Sequence, residues 1–417
     1  MPVDYTFSCK HYLTMEVIEF PQIIQRGCGL DVHKETVVAT IKGIGVEEQT
    51  QTFSTFTGDL ERLVGWLQNE GITHIAMEST GVYWKRVYSV LEEYFEILVV
   101  NARHIKNVPG HKTDKKDSEW IAKLLLSGLL KGSFIPDQTS RELRVLFRHR
   151  KKLVGQRTAE KNRLQGILED ANIKLASVVS DVFGKTGTAI VKALSQGETD
   201  PVKLSNLARG SLIGKKDQLQ LALYGRVTSH HQFMLTFILG VIDQINAMID
   251  TLDQRIETYM TNMEESIELL HTIPGVSYHI AMGIIAEIGT TMDTFPTHKH
   301  LASWAGICPG SNESAGKKRS SKVTHGNKYL KTMLVEAAWA ASHTKGTVLA
   351  DTYHRIAKRR GRKRANLALG HKILSATYFI LRDRIPYRNP YPNPEVIAQR
   401  KAAKIKHLEK QLKKLKR

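Results

Sequence analysis

The chain has 417 residues, of which 60 are Lys or Arg and 41 are Asp or Glu, so its formal net charge is +19. This length predicts roughly two to four domains, and such a basic balance is typical of proteins that bind a polyanion, most often nucleic acid. Three widely spaced cysteines argue against a disulfide framework or a thiolate metal site. No run of about 18 apolar residues is present, which predicts no membrane span, and the sparse cysteines fit a reducing cytoplasm.

After an irregular lead-in over residues 1–26, residues 27–135 alternate between strand and helix patterns. Apolar and β-branched runs predict an antiparallel meander of three strands, followed by helix, strand, helix, strand and helix. Such alternation is typical of a layered α/β domain. The predicted strands are 27–33, 36–41, 49–53, 74–78 and 97–100, and the predicted helices lie near 60–67, 82–94 and 117–130.

Residues 136–265 predict a helical linker. Two stretches, 139–175 and 230–260, repeat apolar residues every three or four positions, which is coiled-coil spacing. We expect these two helices to pair with each other or with another subunit. Residues 266–382 predict a mostly helical domain, interrupted by a glycine- and serine-rich segment at 296–326, and residues 383–417 form a basic tail. The expected fold is therefore α/β in the first part and all-α in the rest.

Four acidic residues lie within, end or follow predicted strands of the first domain. Asp31 lies inside the first strand, Glu78 ends the fourth, and Asp114 and Asp117 come after the fifth. We expect them to converge, and an acid within an apolar strand is costly unless it is solvated, paired or bound to a cation. Such oxygen ligands suit Mg²⁺, and two ions roughly 4 Å apart can clamp a phosphoryl displacement. A helix cap, a first-turn acid and a strand-end charge are the simpler interpretations.

A second candidate site is the serine-rich loop that precedes the predicted helix at 327–342. Ser314 lies in a glycine-containing segment, and six basic residues and no acid occur between Lys317 and Lys331. A free hydroxyl is a weak nucleophile that needs a base or a metal. Clustered cations would stabilise the charge of the transition state. An ordinary surface loop has the same composition, so the residues alone leave both interpretations open.

Several basic or backbone features predict contact with nucleic acid. The segment 273–276, Ile-Pro-Gly-Val, resembles the hairpin of helix–hairpin–helix modules, whose backbone N–H groups contact phosphates; an ordinary helical hairpin is the alternative. Residues 355–364 hold seven basic side chains that would neutralise a phosphate backbone. The predicted nucleic-acid contacts are Lys112, Lys115, Lys116, Gly275, Lys317, Lys318, Arg319, Lys322, Arg359, Arg360 and Arg362.

These motifs together resemble the transposases of bacterial insertion-sequence family 110, the RNA-guided (bridge RNA) recombinases. The resemblance covers roughly residues 27–381, and such ordered matches are far more specific than one short motif. In the first domain the matching motifs are GLDVHK at 29–34, MESTGVYW at 77–84 and VNARHIKNVPGHKTDKKDSEWIAKLL at 100–125. In the last region they are IPGV at 273–276, AEIG at 286–289, LASWAGICPGSNESAGKKR at 301–319 and HGNKYLKTMLVEAAWAA at 325–341.

The resemblance implies a RuvC-like, ribonuclease H-like domain whose Asp-Glu-Asp-Asp metal site falls on Asp31, Glu78, Asp114 and Asp117. It also implies a transposase domain whose catalytic serine forms a transient phosphoserine link with DNA. The family pattern Ser-Ser-Gly-Gly-Lys reads Glu-Ser-Ala-Gly-Lys at 313–317, so the serine maps to Ser314, with Ser311 as a weaker candidate.

The resemblance further implies a homo-oligomer, a dimer or a tetramer, in which the metal site of one subunit completes the serine site of another. Donor and target DNA would be chosen by pairing with a noncoding guide RNA. The resulting interpretation is a Mg²⁺-dependent recombinase that excises and inserts a mobile element. A RuvC-like nuclease that hydrolyses branched DNA with water is the alternative, and a non-catalytic nucleic-acid-binding protein is a third hypothesis.

The charge is divided unevenly along the chain. Residues 1–135 hold 14 basic and 17 acidic residues, a net of −3, whereas residues 266–417 hold 28 basic and 9 acidic, a net of +19. The excess positive charge that predicts binding to a polyanion therefore lies in the region that contains Ser314. A slightly acidic first domain suits cation binding, which predicts a division between a metal-binding part and a nucleic-acid-binding part.

Overall fold

The computed structural model describes residues 23–79, 81–101, 114–308, 310, 312–314, 316–320 and 322–389, with five positions between 398 and 409. The expected lead-in up to residue 22, Lys112, Ser311 and most of the basic tail lie outside this description. The chain divides into two compact units, with the boundary between Ile135 and Pro136. Each unit is described separately below.

The N-terminal unit is built on a mixed five-stranded sheet with the order β3-β2-β1-β4-β5. The first three strands form the antiparallel meander, and β4 and β5 run parallel to β1. The strands are β1 (Arg26–Val32), β2 (Thr36–Gly43), β3 (Val46–Ser54), β4 (His74–Glu78) and β5 (Glu96–Val100). The described helices are α1 (Thr57–Asn69), α2 (Trp84–Leu91) and α3 (Asp114–Leu126).

The two faces of this sheet are covered by different helices. Leu30 and Ile75 point to the face packed by α1 and α2, where Leu63 and Leu91 are fully buried. The opposite face is covered by α3, whose Ile121 and Leu125 pack on Ala76. Because both faces are covered, β1 and β4 are apolar along most of their length instead of alternating with polar residues.

The C-terminal unit starts with a pair of long antiparallel helices, α4 (Gln138–Asp170) and α8 (Ser229–Met260). Leu153 of α4 packs between Ile245 and Ile249 of α8, as the predicted apolar spacing requires. The segment between them forms α5 (Lys185–Ser195), α6 (Pro201–Ser205) and α7 (Lys216–Leu223), which sequence reasoning missed because the periodicity there is weak. These short helices close a second apolar core against the ends of the long pair.

One stretch in this unit, Ser229–His271, is long and apolar enough by length and composition to cross a membrane. The expectation of no membrane span did not single it out because Asp243 and Asp250 interrupt the apolar run. A core helix passes the same test, and α8, which makes up most of this stretch, packs along α4.

In the described part, the rest of the unit is mostly helical and contains one small hairpin, which confirms the expected combination of an α/β region and a mostly helical C-terminal part. The helices are α9 (Glu264–His271), α10 (Tyr278–Ile288), α11 (His298–Trp304), α12 (Lys328–His343), α13 (Val348–Arg360) and α14 (Arg362–Asp383). The hairpin consists of β6 (Asn312–Ser314) and β7 (Lys317–Ser320). The sequence predicted only a loop there, because three- and four-residue polar strands carry no alternating apolar pattern.

Candidate functional site

Two of the four predicted carboxylates lie side by side at the carboxyl ends of parallel strands. Leu30 of β1 is opposite Met77 of β4, so Asp31 and Glu78 form the next pair along the two strands. Side chains alternate along a strand, and Ala76 faces α3. Glu78 therefore points to the α3 face as well, and so does Asp31 beside it.

Helix α3 brings the third carboxylate to the same edge. Gly29 lets α3 lie directly on the sheet, because a Cβ atom at this position would be 2.1 Å from the carbonyl oxygen of Ser118. The buried Ser118 hydroxyl is 2.8 Å from the Thr40 hydroxyl of β2, which fixes the first turn of α3. Asp117, in that turn, is close enough to influence the titration of Asp31. Asp114 starts α3, and its side chain lies outside the described part.

Burial raises the pKa of Asp31, and the neighbouring Asp117 and Glu78 raise it further, whereas His33 lowers it. The His33 Nε2 atom is 3.0 Å from Asp31 Oδ2. A raised carboxyl pKa means that ionised Asp31 destabilises the folded state at neutral pH, and that this cost falls as the pH falls. A bound cation would offset the same cost, and perturbed carboxylates of this kind are common at functional sites.

The described carboxylates are suited to a hard cation in chemistry but do not by themselves form a complete cage. Among described side chains, no group of three or more His, Cys, Asp or Glu residues lies close enough together to hold a metal ion. The set of donors is all oxygen, apart from His33, which is the arrangement that Mg²⁺ prefers. Asp114, one turn before Asp117, is the predicted ligand whose side chain is not described.

The serine segment forms a hairpin instead of an open loop. Ser314 ends β6 and lies opposite Lys317, the first residue of β7. Gly316, in the intervening turn, has a φ of +72°, a conformation that favours glycine. Lys317 and Lys322 are exposed. The side chains of Ser314, Lys318 and Arg319 lie outside the description, so their roles as nucleophile and phosphate contacts stay predictions.

The base of this hairpin is closed by backbone contacts. The Gly310 N–H donates to the Lys322 carbonyl at 2.9 Å, and the Thr324 N–H donates to the Cys308 carbonyl at 3.2 Å. Below them Gly306 and Gly326 cross so closely that a Cβ atom on Gly326 would be 2.3 Å from the Gly306 nitrogen. The two segments at the base of the hairpin can therefore cross this closely only because both crossing residues are glycines.

Sequence reasoning missed a buried cluster beside this base. Glu287, at the end of α10, is 1% exposed and forms salt bridges with Arg144 and Arg148 of α4. It also accepts a hydrogen bond from Asn327, which caps α12. We call these four residues the Glu287 cluster. The available signal was the acid in the AEIG motif at 286–289 together with two arginines four residues apart on α4.

The predicted nucleic-acid contacts are spread over several elements. Arg359, Arg360 and Arg362 are exposed around Gly361, where α13 ends and α14 begins. Gly275 has a packing role, because a Cβ atom there would be 2.3 Å from the Ala341 nitrogen of α12. Its proposed phosphate contact remains a prediction. The backbones of Lys115 and Lys116 lie in the first turn of α3.

Comparison with known families first places the chain in a class. A transposase family model named for the DEDD transposases of IS110 matches residues 28–173, which include Asp31, Glu78, Asp114 and Asp117. A second model, described as the transposase of the IS116/IS110/IS902 family, matches residues 267–355, which include Ser314. The protein is thus a transposase by class. The two models together match more than half of the chain, and the chain belongs to the IS110 family of insertion-sequence transposases.

Curated relatives agree with this assignment. The chain is 21% identical to the transposase for insertion sequence element IS1111A of Coxiella burnetii, over 86% of this chain and 90% of the relative. It is 24% identical to an uncharacterized 43.6 kDa protein of insertion element IS110 from Streptomyces coelicolor, over 68% and 74% of the two chains. It is also 22% identical to the pilin gene-inverting protein of Moraxella bovis, over 86% and 96%.

Proposed function

We propose that this transposase is an RNA-guided DNA recombinase that cleaves and rejoins strands through a phosphoserine intermediate at Ser314. The observation that carries the proposal is the β6–β7 hairpin, which places Ser314 at a tight turn opposite Lys317. Six basic residues and no acid occur between Lys317 and Lys331. A serine held at a turn among cations is suited to attack a phosphodiester, because the cations offset the charge of the transition state.

We assign a RuvC-like fold to the N-terminal unit. The strand order β3-β2-β1-β4-β5, with an antiparallel meander followed by two parallel strands, supports this assignment. So does the position of Asp31 on the central strand and of Glu78 on the parallel neighbour.

Asp31, Glu78, Asp114 and Asp117 would hold Mg²⁺ in this unit. When bound, Mg²⁺ supplies Lewis-acid polarisation of the scissile phosphate. The raised pKa of Asp31 and its electrostatic coupling to Glu78 and Asp117 support a shared cation site. His33 would orient the Asp31 carboxylate through its contact with Oδ2.

The serine step exchanges one phosphoester for another. The Ser314 hydroxyl oxygen forms a bond to phosphorus, the bond from phosphorus to a deoxyribose oxygen breaks, and that oxygen leaves as a hydroxyl after gaining a proton. Attack by the hydroxyl of another strand reverses these changes and restores the serine. Because the phosphoester is conserved, strands are rejoined without ATP.

The proposed partners are DNA, a guide RNA and further copies of this chain. Donor and target DNA would bind the basic C-terminal region, whose net charge is +19 over residues 266–417. A noncoding RNA of the element would select both DNAs by base pairing, and a dimer or tetramer would bring the serine of one subunit to the metal of another. We place this reaction in the cytoplasm. The name of the pilin gene-inverting relative supports a reaction in which strands are rejoined.

A second candidate function is hydrolysis of branched DNA by the carboxylate site alone. The observation that favours it is the self-contained N-terminal unit, which carries all four carboxylates. Hydrolysis would need a water molecule and no serine. The two functions therefore differ in whether a covalent protein–DNA adduct forms.

The deciding experiment traps that adduct. The protein is incubated with Mg²⁺, its co-purified RNA and labelled donor and target DNA, and denaturing gels detect protein-linked DNA. We expect Ser314→Ala to lose the adduct and strand exchange by at least about a thousandfold, since removing a nucleophile removes the covalent route. Ser311→Ala is the matched control and should retain both.

Each outcome decides between the two functions. An adduct that survives in Ser314→Ala but disappears in Ser311→Ala would move the nucleophile to Ser311. Cleavage at a normal rate by Ser314→Ala, with no adduct in either protein, would establish hydrolysis instead. Nuclease treatment of the bound RNA should abolish strand exchange, and exchange that persists afterwards would remove the guide RNA from the mechanism.

A further inference from the structure

The Glu287 cluster is unusual because it buries an acidic side chain near the carboxyl end of a helix, where a negative charge is unfavourable. Glu287 lies in the last turn of α10, where the helix dipole opposes a negative charge, and it is only 1% exposed. Burying a carboxylate in such surroundings is costly unless it is paired and hydrogen-bonded. The burial of Glu287 therefore depends on the groups that contact it.

Two arginines of α4 supply the compensation. The Arg148 guanidinium pairs with both oxygens of Glu287, with Nε 3.1 Å from Oε1 and Nη2 2.9 Å from Oε2. Arg144 Nε lies 3.3 Å from Oε2 and also donates to the Ala286 carbonyl, while Arg144 Nη2 donates to the Glu287 carbonyl. Arg144 thus satisfies carbonyls at the carboxyl end of α10 and the side chain at once. Bidentate arginine pairs of this kind fix orientation as well as charge.

The third partner links the cluster to the segment after the serine hairpin. The Asn327 side-chain amide donates to Glu287 Oε2 at 2.6 Å. Its side-chain oxygen accepts from the backbone N–H groups of Tyr329 and Leu330, at 3.0 and 3.1 Å. Asn327 therefore caps α12 while holding Glu287, and it directly follows Gly326 at the hairpin base.

The same arginines also reach the segment before the hairpin and the first turn of α12. The Arg144 guanidinium lies 5.8 Å from the ring centre of Trp304, two residues before Gly306. The Arg148 guanidinium lies 4.5 Å from the ring centre of Tyr329. Both ends of the segment 305–326, which contains the hairpin, are thus held to α4 and α10 by one buried cluster.

We infer that Glu287 is a positioning residue for the serine reaction, acting through Asn327 and the two arginines to fix the base from which the Ser314 hairpin projects. This inference rests on the proposed function at Ser314. Glu287 is 1% exposed, so its loss should slow the chemical step and leave DNA affinity unchanged. A displacement of about 1 Å at a reacting group costs about a hundredfold in rate.

The test exchanges donor and acceptor across the Glu287–Asn327 contact. Glu287→Gln leaves the arginines without their counter-charge, and Asn327→Asp keeps a good helix cap but opposes two carboxylates. We expect each single variant to lower the single-turnover rate of adduct formation about a hundredfold, with the Kd for DNA within about threefold of wild type. In the double variant the amide introduced at position 287 can donate to the carboxylate introduced at position 327, so the rate should recover at least about tenfold over either single variant.

Asp253→Asn is the matched control for a general loss of stability. Asp253 of α8 pairs with Arg150 of α4, and its Oδ2 atom lies 2.9 Å from the Arg150 guanidinium. In the described structure Asp253 has no contact with Asn327. This variant should keep the adduct rate within about threefold. If it slows adduct formation as much as Glu287→Gln, or if the double variant shows no recovery, Glu287 has only a structural role.

Two further measurements keep the inference separate from the proposed function. Asn327→Ser keeps a residue that can cap α12 and removes the amide donor to Glu287. This variant replaces Glu287→Gln in the test if Glu287→Gln does not fold. Hydrogen exchange at the Gly310 and Thr324 amides should become faster in Glu287→Gln and Asn327→Ser than in Asp253→Asn, whether or not an adduct forms. Unchanged exchange at these amides would overturn the inference, whereas an absent wild-type adduct with faster exchange would overturn the serine mechanism alone.

Discussion

The two candidate sites of this transposase are held in place by different means. Asp31 and Glu78 lie on neighbouring strands whose backbone hydrogen bonds set their register, and α3 is fixed on the same sheet through Gly29. Ser314 instead projects on a short polar hairpin whose base is closed by the Gly310–Lys322 and Cys308–Thr324 backbone hydrogen bonds. A sheet edge defines positions through many backbone bonds, whereas a hairpin of two short strands has little stability of its own. The serine site therefore depends on neighbouring side chains far more than the carboxylate site does.

Charge separates the same two regions. The region up to residue 135 has a net charge of −3, and the last region, from residue 266, has +19. A slightly acidic sheet edge attracts divalent cations, while a basic helical surface attracts phosphate. This contrast leads to three predictions. They concern the loss of a carboxylate from the cation site, the destabilisation of one unit, and the loss of phosphate-binding charges, in that order.

The largest effect is expected from Asp31→Asn. The substitution keeps the size of the side chain but removes a charged oxygen ligand, so strand cleavage should fall at least about a thousandfold, because metal ions supply several kcal/mol of transition-state stabilisation. Calorimetric titration should show weakened Mg²⁺ binding, while DNA affinity measured without divalent ions stays unchanged. Glu93→Gln, an exposed acid of the same unit, is the control and should retain cleavage. Normal cleavage by Asp31→Asn would remove this carboxylate from the reaction.

A smaller effect is expected from weakening the sheet itself. Ile75 on β4 is fully buried among residues of β1, α1 and α2. Ile75→Ala should lower the free energy of unfolding of the N-terminal unit by about 3 kcal/mol, since the removed methyl groups leave a cavity. Urea unfolding followed by hydrogen exchange would report each unit separately.

Ile373→Ala on α14, also fully buried, is the reciprocal control in the C-terminal unit. Each substitution should shift the unfolding of its own unit only. Equal shifts in both units after either substitution would mean that the chain unfolds as a single cooperative body.

The sequence predicted the sheet well because its strands are long and apolar. All five strands of the N-terminal unit were expected, and the pattern of Asp31 inside β1 and Glu78 at the end of β4 is visible in the residues alone. The apolar spacing of α4 and α8 likewise predicted a helix pair. These features depend on local periodicity, which a single sequence displays.

The hairpin and the Glu287 cluster could not be predicted in the same way. The strands around Ser314 are polar and only three and four residues long, so no alternation marks them. Glu287 and Arg148 are 139 positions apart in the chain, and nothing local in either segment indicates their pairing. Sequence reasoning also missed the short helix α11 and the small helices between α4 and α8. Such short helices are stabilised mainly by tertiary packing, so their sequences show little periodicity.

The smallest effect, and the sharpest test of the charge division, is expected from Arg359→Gln, Arg360→Gln and Arg362→Gln combined. These exposed side chains surround Gly361, and removing each phosphate-binding charge should reduce the slope of log affinity against log salt by about one. We expect DNA affinity to fall about tenfold near 0.15 M salt, with Mg²⁺ binding unchanged. The matched control neutralises three exposed basic residues of the N-terminal unit, Lys85, Arg86 and Lys131. Both triple variants remove the same charge, so equal decreases in affinity and slope would show that phosphate binding is spread over both units, whereas a decrease confined to the first variant locates it in the basic C-terminal region.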